Sequence, residues 1–469
     1  MLIRNVAVLV VPEQGECRVD EAQDIHIHDD LITAITPTTA DSPTDNLMDS
    51  ATDGPTDGPT DSPTDSPPDS PIDGEVIDGT GLVAVPGLVN SHTHSPMVMM
   101  RGAAEDLSIE DWFNRRIWPM EVNLTPERVR VGARLACAEM LLAGVTTFVD
   151  HYFHADQIAA AAIESGIRAD LAPTYFSSAG LDGINAAIDT TRELSRLHPR
   201  ITASLGPHAT YTVTDDDLKR TAEIARAEGF RIHLHAAETN DQTQASLDNL
   251  GVTPVQVLER TGVLDAGALI AHGCGIRDDD LPILERYADR TTVASCPKVY
   301  LKLAMGEVTP IKGLRSAGVQ VGVGTDGAAV HNTLDVWEAI RMVALTQKQR
   351  EHDAEWMTLS DTLRLATRGS AAAAGLAGRI GVVEPGRQAD IALIDLSAPH
   401  NQPVPDPRAA LVYSVRASDV VTVLVAGKVV VRDRRLTTMD LEEVLADAKS
   451  LSHTLVDLSK GGAIQHYAP

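Results

Sequence analysis

The chain predicts an α/β fold: a (β/α)8 barrel carrying a small β-sandwich domain assembled from both chain ends. Two observations predict it. Eight short apolar runs recur through the middle of the 469 residues, separated by amphipathic segments rich in Ala, Leu, Glu and Arg. Strand-like alternation appears near the start and returns near the end. A doubly wound open sheet is the competing architecture, but no Gly-x-Gly-x-x-Gly turn follows the first run.

In chain order, the stretches 6–11 and 25–35 read as strands of the small sheet. From Asp41 to Asp73 an aspartate recurs every fourth residue among Pro, Gly, Ser and Thr. Such a tract can neither bury apolar surface nor hold a helix, so a disordered insertion is expected. The eight barrel-strand candidates are 88–94, 146–150, 168–175, 201–208, 231–238, 268–272, 291–296 and 319–326. Helical patterns lie between them, as at 126–142, 215–228 and 334–346. The β texture resumes at 390–395 and 420–431, with Gly427-Lys428 marking a hairpin. The expected layout is therefore 1–85 as the first part of the β domain and 86–380 as the barrel. Residues 381–435 complete the β domain, and 436–469 form a helical tail.

Composition narrows the function. With 66 acidic against 39 basic residues the net charge is −27, which opposes binding to nucleic acid or to anionic membranes. The nine aspartates of the tract supply a third of that charge. No apolar run is long enough to span a bilayer, and the first residues lack a signal peptide's apolar region. Cys17, Cys137, Cys274 and Cys296 are too scattered for a disulfide framework or zinc knuckle. A cytoplasmic, reduced protein is expected, its partners a small heterocyclic substrate and further copies of the chain.

Barrel active sites lie where the strands end at their C-terminal side. The first run ends in His92 and His94, whose side chains point the same way because strand residues alternate faces. The fifth ends in His233-Leu-His235-Ala-Ala-Glu238, the sixth in His272, and the eighth in Thr325-Asp326-Gly327. Any one of these has an ordinary explanation, such as a helix cap for Asp326 or a core imidazole for His272. Their common placement points to a metal. His92, His94, His235 and Asp326 would hold one divalent ion, zinc first and iron as the alternative. Run four has no lysine, which argues against a lysine-bridged second ion.

These motifs resemble the amidohydrolase superfamily, within its cytosine deaminase/chlorohydrolase group and closest in pattern to the 5-methylthioadenosine/S-adenosylhomocysteine deaminases. The carriers are Pro86-Gly-Leu-Val-Asn-Ser-His-Thr-His94, Met100-Arg-Gly-Ala-Ala-Glu-Asp106, Ile117-Trp-Pro-Met-Glu121, Gly206-Pro-His208, His235-Ala-Ala-Glu238, Ala271-His272, Gly324-Thr-Asp-Gly-Ala328 and Glu384-Pro-Gly-Arg-Gln-Ala-Asp390. The resemblance implies a metal-dependent hydrolytic deaminase of an adenosine-type nucleoside, releasing ammonia. It makes Glu238 the proton shuttle in contact with substrate, His272 the holder of the attacking oxygen, and Asp326 the carrier of the next proton. It also implies ribose contact by Glu121 and nucleoside contact by His208.

Two departures from the family pattern stand out. Pro173 falls about where the family has an arginine for a carboxylate tail. Lys298 and Tyr300, in Ser295-Cys-Pro-Lys-Val-Tyr-Leu-Lys-Leu303, replace small polar residues and are candidate substrate contacts. A deaminase or chlorohydrolase of another amino-heterocycle (oxo-purine, pterin or s-triazine) would use the same metal and Glu238. Ring-opening amide hydrolysis and a metal-free scaffold are the remaining alternatives.

Overall fold

The computed structural model describes residues 1–39 and 74–467; the Asp/Pro tract, read as a disordered insertion, lies outside the described residues. Eight parallel strands form the barrel. Strands 1 to 3 are Leu88–Thr93, Val145–Tyr152 and Arg168–Tyr175. Strand 4 is split into Ile201–Ala203 and Gly206–Pro207. Strands 5 to 8 are Ile232–Ala236, Ala268–His272, Thr291–Ser295 and Gln320–Val323. The single run expected at 201–208 is interrupted at Ser204 and Leu205, where the backbone passes from one neighbour to the other: the Ser204 amide donates to Leu171 of strand 3 and the Leu205 amide to Arg231 beside strand 5.

Barrel closure is visible at two seams. Strand 4 bridges to strand 5 through Leu205 with Ile232 and Ala209 with His235. Strand 8 returns to strand 1 where the Asp326 amide donates to the His92 carbonyl at 2.9 Å. That seam requires a glycine: a Cβ on Gly324 would sit 2.9 Å from both the amide nitrogen and the carbonyl oxygen of His92. Asn90 and Thr325 stitch the same seam, amide nitrogen to hydroxyl at 2.8 Å and backbone nitrogen to amide oxygen at 3.0 Å.

Amphipathic helices cover the strands. Pro126–Leu142 starts with Thr125 capping the Arg128 amide and buries Val129, Ala133, Ala136, Cys137, Met140 and Leu141. Asp215–Glu228 has Thr214 as its cap, three aspartates in its first turn and Gly229 in the left-handed conformation at its end. Caps, acidic first turns and a C-terminal glycine together define where such a helix begins and stops.

The chain ends meet in one nine-stranded sheet. Leu2–Val10, Arg18–His28 and Leu31–Pro37 form a meander, joined through Leu82–Pro86 to Ile391–Asp395. The hairpin Val420–Val425 with Lys428–Arg432 follows, its turn made by Ala426 and Gly427 at φ 47° and 72°. This sheet curls until Ile32 exchanges backbone bonds with Gly386 and Arg387, enclosing Ile3, Ile25, Ile32, Ile391 and Leu424. A buried ion pair joins it to the barrel: Arg168 meets Asp390 with two contacts of 3.1 and 3.2 Å. After the sheet comes the helix Leu441–Leu455. The tail beyond it is extended rather than helical and lies against the barrel mouth. Among the described residues, no helix is long and apolar enough to cross a membrane.

Candidate active site

The C-terminal ends of strands 1, 5, 6 and 8 converge as their sequence pattern predicts. Ligand atoms of His92, His94 and His235 lie within 4.8 Å of one another, and so do those of His92, His272 and Asp326. Asp326 Oδ1 is 3.1 Å from His94 Nε2 and 3.7 Å from His92 Nε2.

Three of the four imidazoles, those of His92, His94 and His235, are oriented from behind. His94 Nδ1 is 2.6 Å from the His151 carbonyl, and His235 Nδ1 is 2.8 Å from the His208 carbonyl. These contacts place a proton on Nδ1 and turn Nε2 toward the centre. His92 Nδ1 is 2.9 Å from His233 Nε2, while His92 Nε2 is buried with no hydrogen-bond partner. Oriented imidazoles, a carboxylate and an orphaned inward-facing nitrogen fit a divalent metal ion.

Burial and local charge set the ionisation states. Burial, reinforced by neighbouring imidazoles, holds His92 well below its usual range. His235 is pushed down to about 4, burial outweighing the charge of Glu238. Burial would likewise lower His94, but the hydrogen bond and charge of Asp326 bring it up to about 9. Asp326 answers in the other direction: despite burial, His94 keeps its carboxyl far below the normal carboxylate range. His92 and His235 as neutral imidazoles and Asp326 as an ionised carboxylate are in the forms that bind metal, whereas His94 has to give up its proton to do so.

Backbone strain is present here too. Ala237, His272 and Asp326 have φ of 47°, 71° and 61°. Each left-handed non-glycine residue costs of order 1–3 kcal/mol, and such residues cluster where side chains must be aimed.

Glu238 stands beside the cluster. Its Oε2 accepts from Gln242 Nε2 at 2.9 Å and from the Tyr211 hydroxyl at 3.2 Å. Its Oε1 is left 3.9 Å from His272 Nε2, which is itself 3.9 Å from Asp326 Oδ2. The carboxylate therefore has one oxygen fixed and one turned toward the reacting centre.

A single cavity is lined by His94, His235, Glu238, His272 and Asp326, and also by Glu121 and His208. Aromatic walls come from Trp112, Phe113, Trp118 and Phe176. Glu121 accepts from the Tyr152 hydroxyl at 2.7 Å, and burial pushes its carboxyl up to about 7 against that bond. His208 bonds Thr212 at 2.9 Å and packs on Phe176.

Lys298 and Tyr300, expected as substrate contacts, do not line the cavity. The helix Pro297–Lys302 turns Val299 inward instead, followed by Leu303 just beyond it. Lys298 pairs with both oxygens of Glu338 at 2.8 Å. The Tyr300 hydroxyl accepts from the Cys296 amide at 2.7 Å beneath the site, where it supports the His272 carbonyl loop. A helical period of 3.6 separates faces that an extended reading would merge. Cys274 and Cys296 are buried free thiols, as are the other two cysteines.

Sequence reasoning missed the supporting residues Tyr152, Tyr211 and Gln242. Tyr152 carried a local signal, being two residues beyond Asp150 on a strand that ends at the rim. Gln242 lies one helical turn beyond Glu238, which is the spacing at which two side chains meet.

Residues 83–430 match the amidohydrolase family. The chain is 40% identical over 393 residues to the 5-methylthioadenosine/S-adenosylhomocysteine deaminase of Pelotomaculum thermopropionicum, spanning 82% of this chain and 88% of that one. It is 36% identical over 388 residues to the 5′-deoxyadenosine deaminase of Methanospirillum hungatei, spanning 81% and 85%. Among solved structures, the zinc-bound adenosine deaminase of Xanthomonas campestris superposes with a TM-score of 0.84 at 30% identity, covering 97% of this chain and 98% of that one. The zinc complex of atrazine chlorohydrolase from Arthrobacter aurescens gives a TM-score of 0.80 at 25% identity, covering 96% and 99%. The chain belongs to the amidohydrolase family and is a hydrolase whose site suits a divalent metal ion.

Proposed function

We propose that this hydrolase deaminates adenosine-type nucleosides, converting the amino-bearing ring carbon to a carbonyl and releasing ammonia. The observation that carries the reading is the shared cavity: Glu238 and the His/Asp cluster line the same space as Glu121 and His208. Relatives over most of the chain are named for deamination of such nucleosides.

His92, His94, His235 and Asp326 would hold one ion, zinc in preference to iron because borderline nitrogen and oxygen donors in a small site suit it. When bound, the ion supplies Lewis acidity that brings the pKa of a water toward ~7. Glu238 takes a proton from the attacking water through its free Oε1 and delivers it to a ring nitrogen of the heterocycle. That protonation makes the adjacent amino-bearing carbon electrophilic, and the water oxygen bonds to it. His272 Nε2, facing both Glu238 and Asp326, is placed to hold the entering oxygen. Asp326 passes the oxygen's remaining proton to the amine, the carbon–nitrogen bond breaks, and ammonia leaves. One water is consumed and one ammonia released, so atoms and charge balance.

Substrate choice follows from what lines the walls. Glu121 can accept two vicinal hydroxyls, and the aromatic walls suit a flat base and an apolar 5′ substituent. A cleft continuing past Glu121 and Tyr152 is lined by Pro173. Neither it nor the cavity has a lysine or arginine among its lining residues. A carboxylate tail would meet no fixed cation there, so 5-methylthioadenosine and adenosine should be preferred over S-adenosylhomocysteine. The likeness to a triazine hydrolase keeps another amino-heterocycle as the second reading.

Glu238→Gln separates chemistry from assembly. The variant should retain its metal but lose about 10²–10⁴-fold in kcat, the usual worth of a general acid–base. Near-normal turnover would reassign the shuttle.

A further inference from the structure

The tail reaches the active site by a route that nothing in its sequence advertises. From Val456 to His466 the chain contributes no buried residue, and then Tyr467 is 2% exposed. Its backbone is clamped reciprocally by one side chain. Asn114 Oδ1 accepts from the Tyr467 amide at 2.7 Å, and Asn114 Nδ2 donates to the Tyr467 carbonyl at 3.0 Å. Its ring stacks on Phe113, centroids 5.0 Å apart and 14° from parallel. Its hydroxyl accepts from Gln242 Nε2 at 3.1 Å.

That last contact connects to the chemistry. The Gln242 amide nitrogen carries two hydrogens, one for Glu238 Oε2 and one for the Tyr467 hydroxyl. Its amide oxygen accepts from the Glu238 backbone nitrogen at 3.1 Å. Gln242 is therefore locked at three points, and its orientation decides which carboxylate oxygen of Glu238 is occupied. Without an acceptor at Tyr467, the amide loses one of its three restraints.

We propose that Tyr467 is a positioning residue for the reaction: it holds Gln242, and through it the Glu238 carboxylate, in the orientation that proton transfer needs. The claim rests on the reading of Glu238 as the proton shuttle. The ring has a separate job. Phe113 lines the substrate cavity, so the stacked Tyr467 ring backs one of its walls.

The two jobs separate by substitution in the zinc-loaded full-length chain, assayed for ammonia release from 5-methylthioadenosine. Tyr467→Phe keeps the ring and the Asn114 clamp but deletes the hydroxyl. It should lower kcat about 5- to 10-fold, the size of one neutral hydrogen bond, with KM within about twofold of the parent and zinc content unchanged. Tyr467→Ala should lower kcat similarly and also raise KM, because Phe113 loses its stacked partner. Residues coupled through one bond give non-additive effects. On a Gln242→Leu background, Tyr467→Phe should therefore change kcat by less than about twofold.

Parent-like kcat in Tyr467→Phe overturns the proposal. So does an equal slowing on the Gln242→Leu background, or a loss that tracks falling zinc content or rising KM, since those mark packing alone. Failure of the underlying reading looks different: Glu238→Gln would then stay active whatever Tyr467 does.

Discussion

Asp390→Ala isolates the contact that fastens the curled sheet to the barrel. Arg168 and Asp390 expose 2% and 1% of their side chains, and the carboxylate also accepts from the Ala426 amide at 2.7 Å. Removing it leaves a guanidinium and a backbone donor buried without that partner. Breaking a buried pair from one side costs about 3–5 kcal/mol. At roughly 2 °C per kcal/mol for a chain of this size, a loss of about 4 kcal/mol lowers the unfolding midpoint by roughly 8 °C. Arg18 and Asp20, 61% and 37% exposed, provide the comparison: Asp20→Ala should cost under about 1 kcal/mol. The paired replacement Arg168→Met with Asp390→Leu should recover most of the loss, because no charge is then left behind. Thermal and urea unfolding, followed by circular dichroism at fixed zinc concentration, give the numbers. An Asp390→Ala loss no larger than that of Asp20→Ala would mean that the buried pair does not fasten the sheet to the barrel. A paired variant as weak as the single one would mean that the charge left behind is not the cause of the loss.

Other expectations concern the site and the insertion. His235→Ala should remove metal and activity together, measured by elemental analysis beside turnover; metal retained at one ion per chain would remove His235 from the ligand set. Glu121→Ala should cut kcat/KM for the nucleoside about 10- to 100-fold, the range for hydrogen bonds to a charged group, with metal content unchanged. Glu121 also predicts a pH effect on stability. Its folded value of about 7 lies above the ordinary 4.5, so between those values the folded state binds more protons than the unfolded one. This group's contribution to stability therefore falls as pH rises from 4.5 to 7 and levels off above. Glu121→Gln should flatten that slope, and an unchanged slope in urea titrations would contradict the assignment. Shortening the tract at 41–73 should leave folding and turnover intact, because its composition offers little to a core and loop closure costs vary slowly with length. A shortened chain that fails to fold would show that the tract packs.

The barrel was legible because each strand–helix unit writes its own local pattern, and the metal cluster because barrel chemistry collects at strand ends. His92, His94, His235 and Asp326 converge for that reason. Glu238 stood out three residues beyond His235 at the end of the fifth run, but its role, like the ribose contact of Glu121, came from the family resemblance. Lys298 and Tyr300 were misplaced because their roles depend on the rotation of a six-residue helix, which Val299 and Leu303 decide by taking the cavity side. The split in strand 4 left no signal, because it depends on which neighbouring strand accepts from Ser204 and Leu205. Tyr467 left no trace: it is separated from Gln242 by 225 residues, and only tertiary structure brings such partners together.

Ammonia release by the zinc-loaded protein across one substrate panel decides whether it deaminates adenosine-type nucleosides. The panel is 5-methylthioadenosine, adenosine, S-adenosylhomocysteine, guanine, a pterin and melamine. Stoichiometric ammonia and an inosine-type product are expected from the nucleosides, with 5-methylthioadenosine or adenosine ahead of S-adenosylhomocysteine in kcat/KM. Ammonia from the free base, the pterin or the triazine, with the adenosine nucleosides left untouched, would contradict that expectation.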